Sequence, residues 1–151
     1  MRYCLINLFI IALLSCKSNN LTESAQIHFE EKGIVFPKEL KHCIIIPGGG
    51  CSGCIAAGMD YILNNENAFS DSQQDNIVVF TKINSVKLLK RNLKGKRFED
   101  FNAIIDSKNL YALSTKESLY PIILYLKNGR IVLADVQSPY SDALEKLSNE
   151  I

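Results

Sequence analysis

A chain of 151 residues with 47% hydrophobic and 22% charged content has the composition of one ordinary globular domain. It lies far from the disordered, collagen-like and multi-span membrane classes. The formal charge of +1, from 17 basic and 16 acidic residues, gives no general attraction for polyanions. Lysines thicken between Lys82 and Arg97, but Glu99, Asp100 and Asp106 follow and no aromatic stacking pattern is interleaved. That stretch reads as a solvated helix face with its turn, and nucleic acid is not expected as a partner. Chains of this length bury roughly 70% of the surface their unfolded form exposes, so the core needs no disulfide staples.

Residues 1–15 place Arg2 ahead of an apolar run broken only by Asn7, the build of a signal peptide. The run is too short to span the hydrocarbon core of a bilayer, which takes about 20 apolar residues. Cys16 follows Leu13, Leu14 and Ser15, and this junction resembles the lipobox of bacterial lipoproteins. The resemblance implies cleavage before Cys16 and acylation of its thiol and amine. A lipid anchor at Cys16 would then hold the chain on the periplasmic side of the inner or outer membrane of the cell envelope. Ordinary secretion, with Ser15 as the small residue before a conventional cut, is the alternative. Lys17 replaces the aspartate that retains enteric lipoproteins on the inner membrane, so sorting to the outer membrane is allowed. Residues 16–25, rich in Ser, Asn, Thr and Glu, suit a flexible tether, and residues 26–151 are expected to form the domain.

Residues 28–36 are weakly patterned and suggest an extra strand or turn ended by Pro37. Residues 41–47 contain Cys43, Ile44, Ile45 and Ile46, a continuous apolar run of the kind found in strands buried on both faces. Gly48, Gly49 and Gly50 break it. From Cys51 the period becomes helical, with Ile55, Met59, Ile62 and Leu63 on one face and Asp60, Asn64 and Asn65 opposite. Residues 77–80 read as a second buried strand, and Val86, Leu89 and Leu93 predict a helix capped by Asn84 or Ser85. Residues 103–106 form a third strand, whose Asp106 is either a strand-end cap or a functional acid. The apolar runs 121–126 and 130–134 flank Lys127, Asn128 and Gly129, the strongest short hairpin signal. Ser138 as N-cap with Pro139 at the first helical position predicts a last helix, burying Ala143, Leu144, Leu147 and Ile151. The alternation favours an α/β fold, a mainly parallel sheet with helices packed on it.

The chemistry concentrates at Cys51, Ser52, Gly53 and Cys54, where the buried strand turns into the helix. A thiol at a helix N-terminus meets unpaired N–H groups and the positive end of the dipole, both of which favour the thiolate. Two intervening residues bring Cys54 close enough to close a disulfide, so Cys51 can attack and Cys54 resolve. A permanent disulfide closing so short a segment would add little through loop entropy. A zinc site needs two more ligands; His42 and Cys43 are strand neighbours pointing to opposite faces and His28 is isolated, so no metal is expected. Cys43 reads as a small buried apolar residue. Gly48 to Gly50 lack a following Lys-Ser/Thr cradle, which excludes a phosphate-binding loop.

The order strand, Cys-x-x-Cys, helix, strand, helix, proline-led hairpin and final helix resembles the thioredoxin superfamily over residues 41–151. The long spacing from Cys51 to Pro121 is more similar to its TlpA-like, membrane-tethered branch, which carries an insertion after the second strand. The resemblance implies a thioredoxin-like central mixed sheet flanked by helices, with Cys51 and Cys54 as the catalytic pair and no cofactor. It places substrate contacts at Gly50, Ser52, Gly53, Tyr120 and Pro121, with Pro121 cis and facing the dithiol. Protein thiols and disulfides of the envelope would be the partners, with a reductase favoured over an oxidase. The chain departs from the family in having Gly50 rather than Trp before Cys51 and no buried acid among Ile44, Ile45 and Ile46. A thioredoxin-like binding module of the envelope with weak catalysis is the competing reading.

Overall fold

The structure is a computed structural model that describes residues 20–151; the leader, Cys16 and the start of the expected tether lie outside the described residues. Five strands form one mixed sheet. At its centre β1 (His42–Pro47) is buried along its whole length. It pairs in parallel with β2 (Asn76–Thr81) and antiparallel with β4 (Ile122–Lys127). A third strand, β3 (Ala103–Asp106), extends the parallel side, and β5 (Arg130–Val136) completes the other edge, so the order is β3-β2-β1-β4-β5. Among the described residues the helices are α1 (Asn20–Glu31), α2 (Ser52–Asn64), α3 (Val86–Asn92) and α4 (Ala143–Ser148). The protein is thus α/β, a five-stranded mixed sheet flanked by helices.

Alternation along the strands sorts the apolar residues into two cores. Ile44, Ile46, Val78, Phe80 and Ile123 point to the face covered by α2, α3 and α4, where Ile62, Leu89 and Leu147 meet them. Cys43, Ile45, Val79, Leu124 and Ala134 point to the other face, under Ala25 and Phe29 of α1. The hairpin turns at Asn128 (φ 54°) and Gly129 (φ 77°), both left-handed, as a two-residue turn matched to strand twist requires. Gly129 is also demanded by space, since a Cβ there would lie 2.7 Å from the carbonyl oxygen of Phe36.

Two expectations need correction. Residues 16–25 are expected as a tether and 28–36 as a strand or turn; the chain is instead helical from Asn20 through Glu31, and of the second expectation only a turn at Lys32 and Gly33 is present. Leu21, Ala25 and Phe29 recur at helical spacing and pack on the sheet, so the packed domain begins ahead of residue 26. The helix also caps the outer edge of β5: the Ala134 N–H donates to Thr22 Oγ1 at 3.0 Å and the Ile131 N–H to Gln26 Oε1 at 3.1 Å. Edge donors occupied this way are closed to strand addition. The last helix starts at Ala143 instead of beside Pro139, with Ile151 exposed beyond its end. Ser141, not Ser138, organises this corner. Its hydroxyl donates to the Val136 carbonyl and accepts from the Ser138 N–H, while Gln137 Oε1 takes the Leu144 N–H at 3.0 Å.

Of the two candidate caps of α3, Ser85 does the work, accepting the Leu88 N–H at 3.2 Å. Asp106 is the cap of its strand end: it accepts from the Leu110 and Tyr111 N–H groups at 3.0 and 2.7 Å and from Thr81 Oγ1 at 3.0 Å. From there residues 107–121 cross the α1 face, burying Leu113 on the way to β4.

Replacing both Thr22 and Gln26 with alanine should lower stability by about 1–3 kcal/mol, since each bond contributes roughly 0.5–1.5 kcal/mol net. The check is the urea midpoint at constant slope; an unchanged midpoint would show that α1 docks through its apolar face alone.

Candidate active site at the start of the second helix

Leaving β1, the chain passes through Gly48, Gly49 and Gly50 before α2 begins. Two of these glycines mark close approaches of backbone. A Cβ at Gly48 would run into the Lys82 carbonyl and Ile83, and one at Gly50 into the Leu119 backbone, where φ is moreover +135°. Around Gly49 there is open space. The two outer glycines thus let the segments after β2 and before β4 pack directly against the turn that leads to Cys51.

Cys51 is the N-cap of α2, extended at φ −69° and ψ 99°. Its N–H donates to the Leu119 carbonyl at 3.0 Å, its carbonyl accepts the Ile55 N–H at 2.9 Å, and its Sγ accepts the Cys54 N–H at 3.4 Å. Cys51 and Cys54 are joined as a disulfide across a Cα separation of 5.3 Å, inside the normal range. The two sulfurs are not equivalent. Cys54 is buried at 5% exposure, whereas Cys51 is half-buried and flanked by exposed Gly50, Ser52 and Gly53. An incoming thiol or disulfide meets Cys51 first.

Pro121 is buried and packs on α2, because Gly58 has no side chain: a Cβ there would lie 3.2 Å from Pro121 Cγ and 3.4 Å from Ile46 Cδ1. The Tyr120–Pro121 bond is trans, not cis as the resemblance implied; no described peptide bond is cis. Tyr120 lines a recess of 10 Å³ with Ile45, Leu113 and Ile122, residues on the α1 side of the sheet. Leu119, half exposed, is the residue that abuts Cys51, and the sequence reading missed it. The only sequence signal was its place two residues ahead of the hairpin proline.

Beside the disulfide an open groove of 640 Å³ runs between α2 and α3, lined by Gly50, Ser52, Ile55, Met59, Asp60 and Arg91 among others. Lys94 spans it to Asp60 at 2.6 Å. Away from the site, burial pushes the Cys43 thiol far above its ordinary range, which keeps it protonated and unreactive. His42 faces the other way and is occupied: its Nδ1 and Asn76 Oδ1 lie 2.7 Å apart, while Asn76 Nδ2 donates to Ala68. Among the described residues no group of three or more His, Cys, Asp or Glu is placed to hold a metal ion.

Compared with known proteins, the chain matches no family model, no curated protein and no solved structure.

Two outcomes check this geometry. In the reduced native chain from Lys17 onward, iodoacetamide should modify Cys51 readily and Cys54 more slowly, with Cys43 labelled only in denaturant; mass spectrometry of the alkylated peptides decides. Gly50→Ala should lower stability by about 1–3 kcal/mol through the left-handed backbone and the Leu119 clash, whereas Gly49→Ala should stay within about 0.5 kcal/mol of the parent in urea unfolding.

Proposed function

We propose that the protein is a thiol-disulfide oxidoreductase of the cell envelope, thioredoxin-like in fold and acting through Cys51 and Cys54. What supports the reading is the asymmetry of the pair: a half-buried cysteine at the N-cap of a 13-residue helix, bonded to a buried one three residues on. The helix N-terminus favours negative charge on Cys51 Sγ, and the Cys54 amide already points at that sulfur.

In the reducing direction, which the likeness to the TlpA-like branch favours, the Cys51 thiolate attacks one sulfur of a substrate disulfide. A mixed disulfide forms and the other substrate sulfur leaves as a thiolate, taking a proton from solvent. Cys54, deprotonated in turn, attacks Cys51 Sγ and expels the second substrate thiol. The substrate has gained two electrons and two protons, and the protein is left with the Cys51–Cys54 disulfide. A dithiol reductant must then restore the pair. The leader and Cys16 would place this chemistry beside a membrane, where exported proteins form and exchange disulfides.

Two measurements test the proposal. Equilibrated with glutathione or dithiothreitol buffers, the chain from Lys17 onward should show a reversible two-electron transition between roughly −120 and −270 mV. A pair still oxidised below about −300 mV, with no exchange activity, would make the disulfide structural. Cys54→Ser should accumulate mixed disulfides through Cys51 on incubation with a disulfide-bonded protein, and Cys51→Ser should accumulate far fewer. Equal trapping by both variants would contradict the assigned roles.

A further inference from the structure

We propose that the groove between α2 and α3 seats an extended, acidic stretch of the substrate polypeptide next to its reacting cysteine. The inference rests on the redox reading above and adds the chemistry of the substrate.

The groove begins at the residues that flank Cys51. Gly50 and Ser52, the two neighbours of Cys51, line its near end, and Ile55 and Met59 continue along α2 to Asp60. A smaller apolar recess of 110 Å³ adjoins it, sharing Ile55 and Met59 and bounded by Ile83 and Leu88. Leu88, which bounds this recess, is a large apolar side chain left exposed. From Ser52 to Asp60 the helix rises about 12 Å at 1.5 Å per residue, the span of about four extended residues. A polypeptide whose cysteine sits at Cys51 would therefore lay three or four flanking residues along this wall.

Charge indicates what those residues carry. The α3 sequence Val-Lys-Leu-Leu-Lys-Arg-Asn holds three cations and no acid. Lys87, Lys90 and Arg91 are exposed, and among the described residues no ion pair uses them. Asp60, the one acid lining the groove, is already paired with Lys94. Arg91 therefore leaves a net positive charge on the lining. Lys87 stands four residues before it on the same helical face, and the N-terminus of α2 adds positive potential at the Ser52 end. An apolar floor under a positive rim is complementary to a segment mixing apolar with Asp or Glu residues.

The test compares two peptides of equal apolar content, each bearing a central cysteine in disulfide linkage with mercaptoethanol, one flanked by Asp and Glu and the other by Lys. With the mature chain in neutral-detergent micelles and dithiothreitol as recycling reductant, the acidic peptide should be reduced about tenfold faster at low salt, through steered encounter. That preference should shrink in about 0.5 M salt. In K87E/K90E/R91E the acidic-to-basic rate ratio should fall to one or below. Equal rates in the parent chain, or an unchanged ratio in the variant, would overturn the proposal. Hydroxyethyl disulfide, neutral and too small to fill the groove, separates the two readings: if the parent chain does not turn it over, the redox function fails. Binding of fluorescent serine-for-cysteine versions of the peptides, read by anisotropy, then decides the groove independently. Selective, salt-sensitive binding of the acidic peptide supports it, and equal binding of both rejects it.

Discussion

Everything at the candidate site follows from the way β1 is paired. This strand is buried from His42 to Pro47 and runs parallel to one neighbour and antiparallel to the other, with Pro47 opposite Thr81 and Ile45 opposite Ile122. Its carboxyl end therefore lies beside the carboxyl end of β2 and the amino end of β4. The chain leaving β2 presses on Gly48 through Lys82 and Ile83, and the chain approaching β4 presses on Gly50 through Leu119. Cys51 emerges between them as the first cap of α2. Crevices beyond the carboxyl ends of strands, where connections diverge, are where α/β sheets place their ligands.

The same topology places cysteines of identical chemistry in different surroundings. Cys43 lies inside β1, where the sheet is covered on both faces, and burial holds it as a thiol. Cys51 lies a few residues later, beyond the covered region, with its backbone tied to Leu119 and the residue only half-buried. Cys54, one turn into the helix, is carried back under the surface. Solvent access of each cysteine is decided by depth along one strand–helix junction.

The two faces of the sheet are closed by different means. On one face three helices cover the core, and the short α3 brings Arg91 up to the groove beside the disulfide. On the other, α1 and the irregular crossing of residues 107–121 share the cover, and α1 also occupies two outward N–H groups of β5. The edge formed by β3 is only four residues long, and short edge strands offer little template for pairing.

Local pattern by itself determined the strands and helices whose signal repeats within a few residues. These include the unbroken apolar run of β1, the helical period after Cys51 and the Asn128–Gly129 hairpin. The dithiol belongs with them, since its spacing and its place at a strand–helix boundary are visible without coordinates. Only the tertiary structure decided the rest, because the deciding contacts join residues far apart in the chain. The α1 helix is formed from residues that look like a tether, since Thr22 and Gln26 find partners more than a hundred positions away on β5. The start of α4 is set by Gln137 and Ser141 folding back on a corner, which outweighed the local Ser138–Pro139 signal. Leu119 became a neighbour of Cys51 only through the β1–β4 pairing, and a composition of charges spread along the sequence became a positive rim only when α3 packed beside α2. Propensity and capping act over one turn, whereas edge satisfaction and groove formation require the whole sheet to be in place.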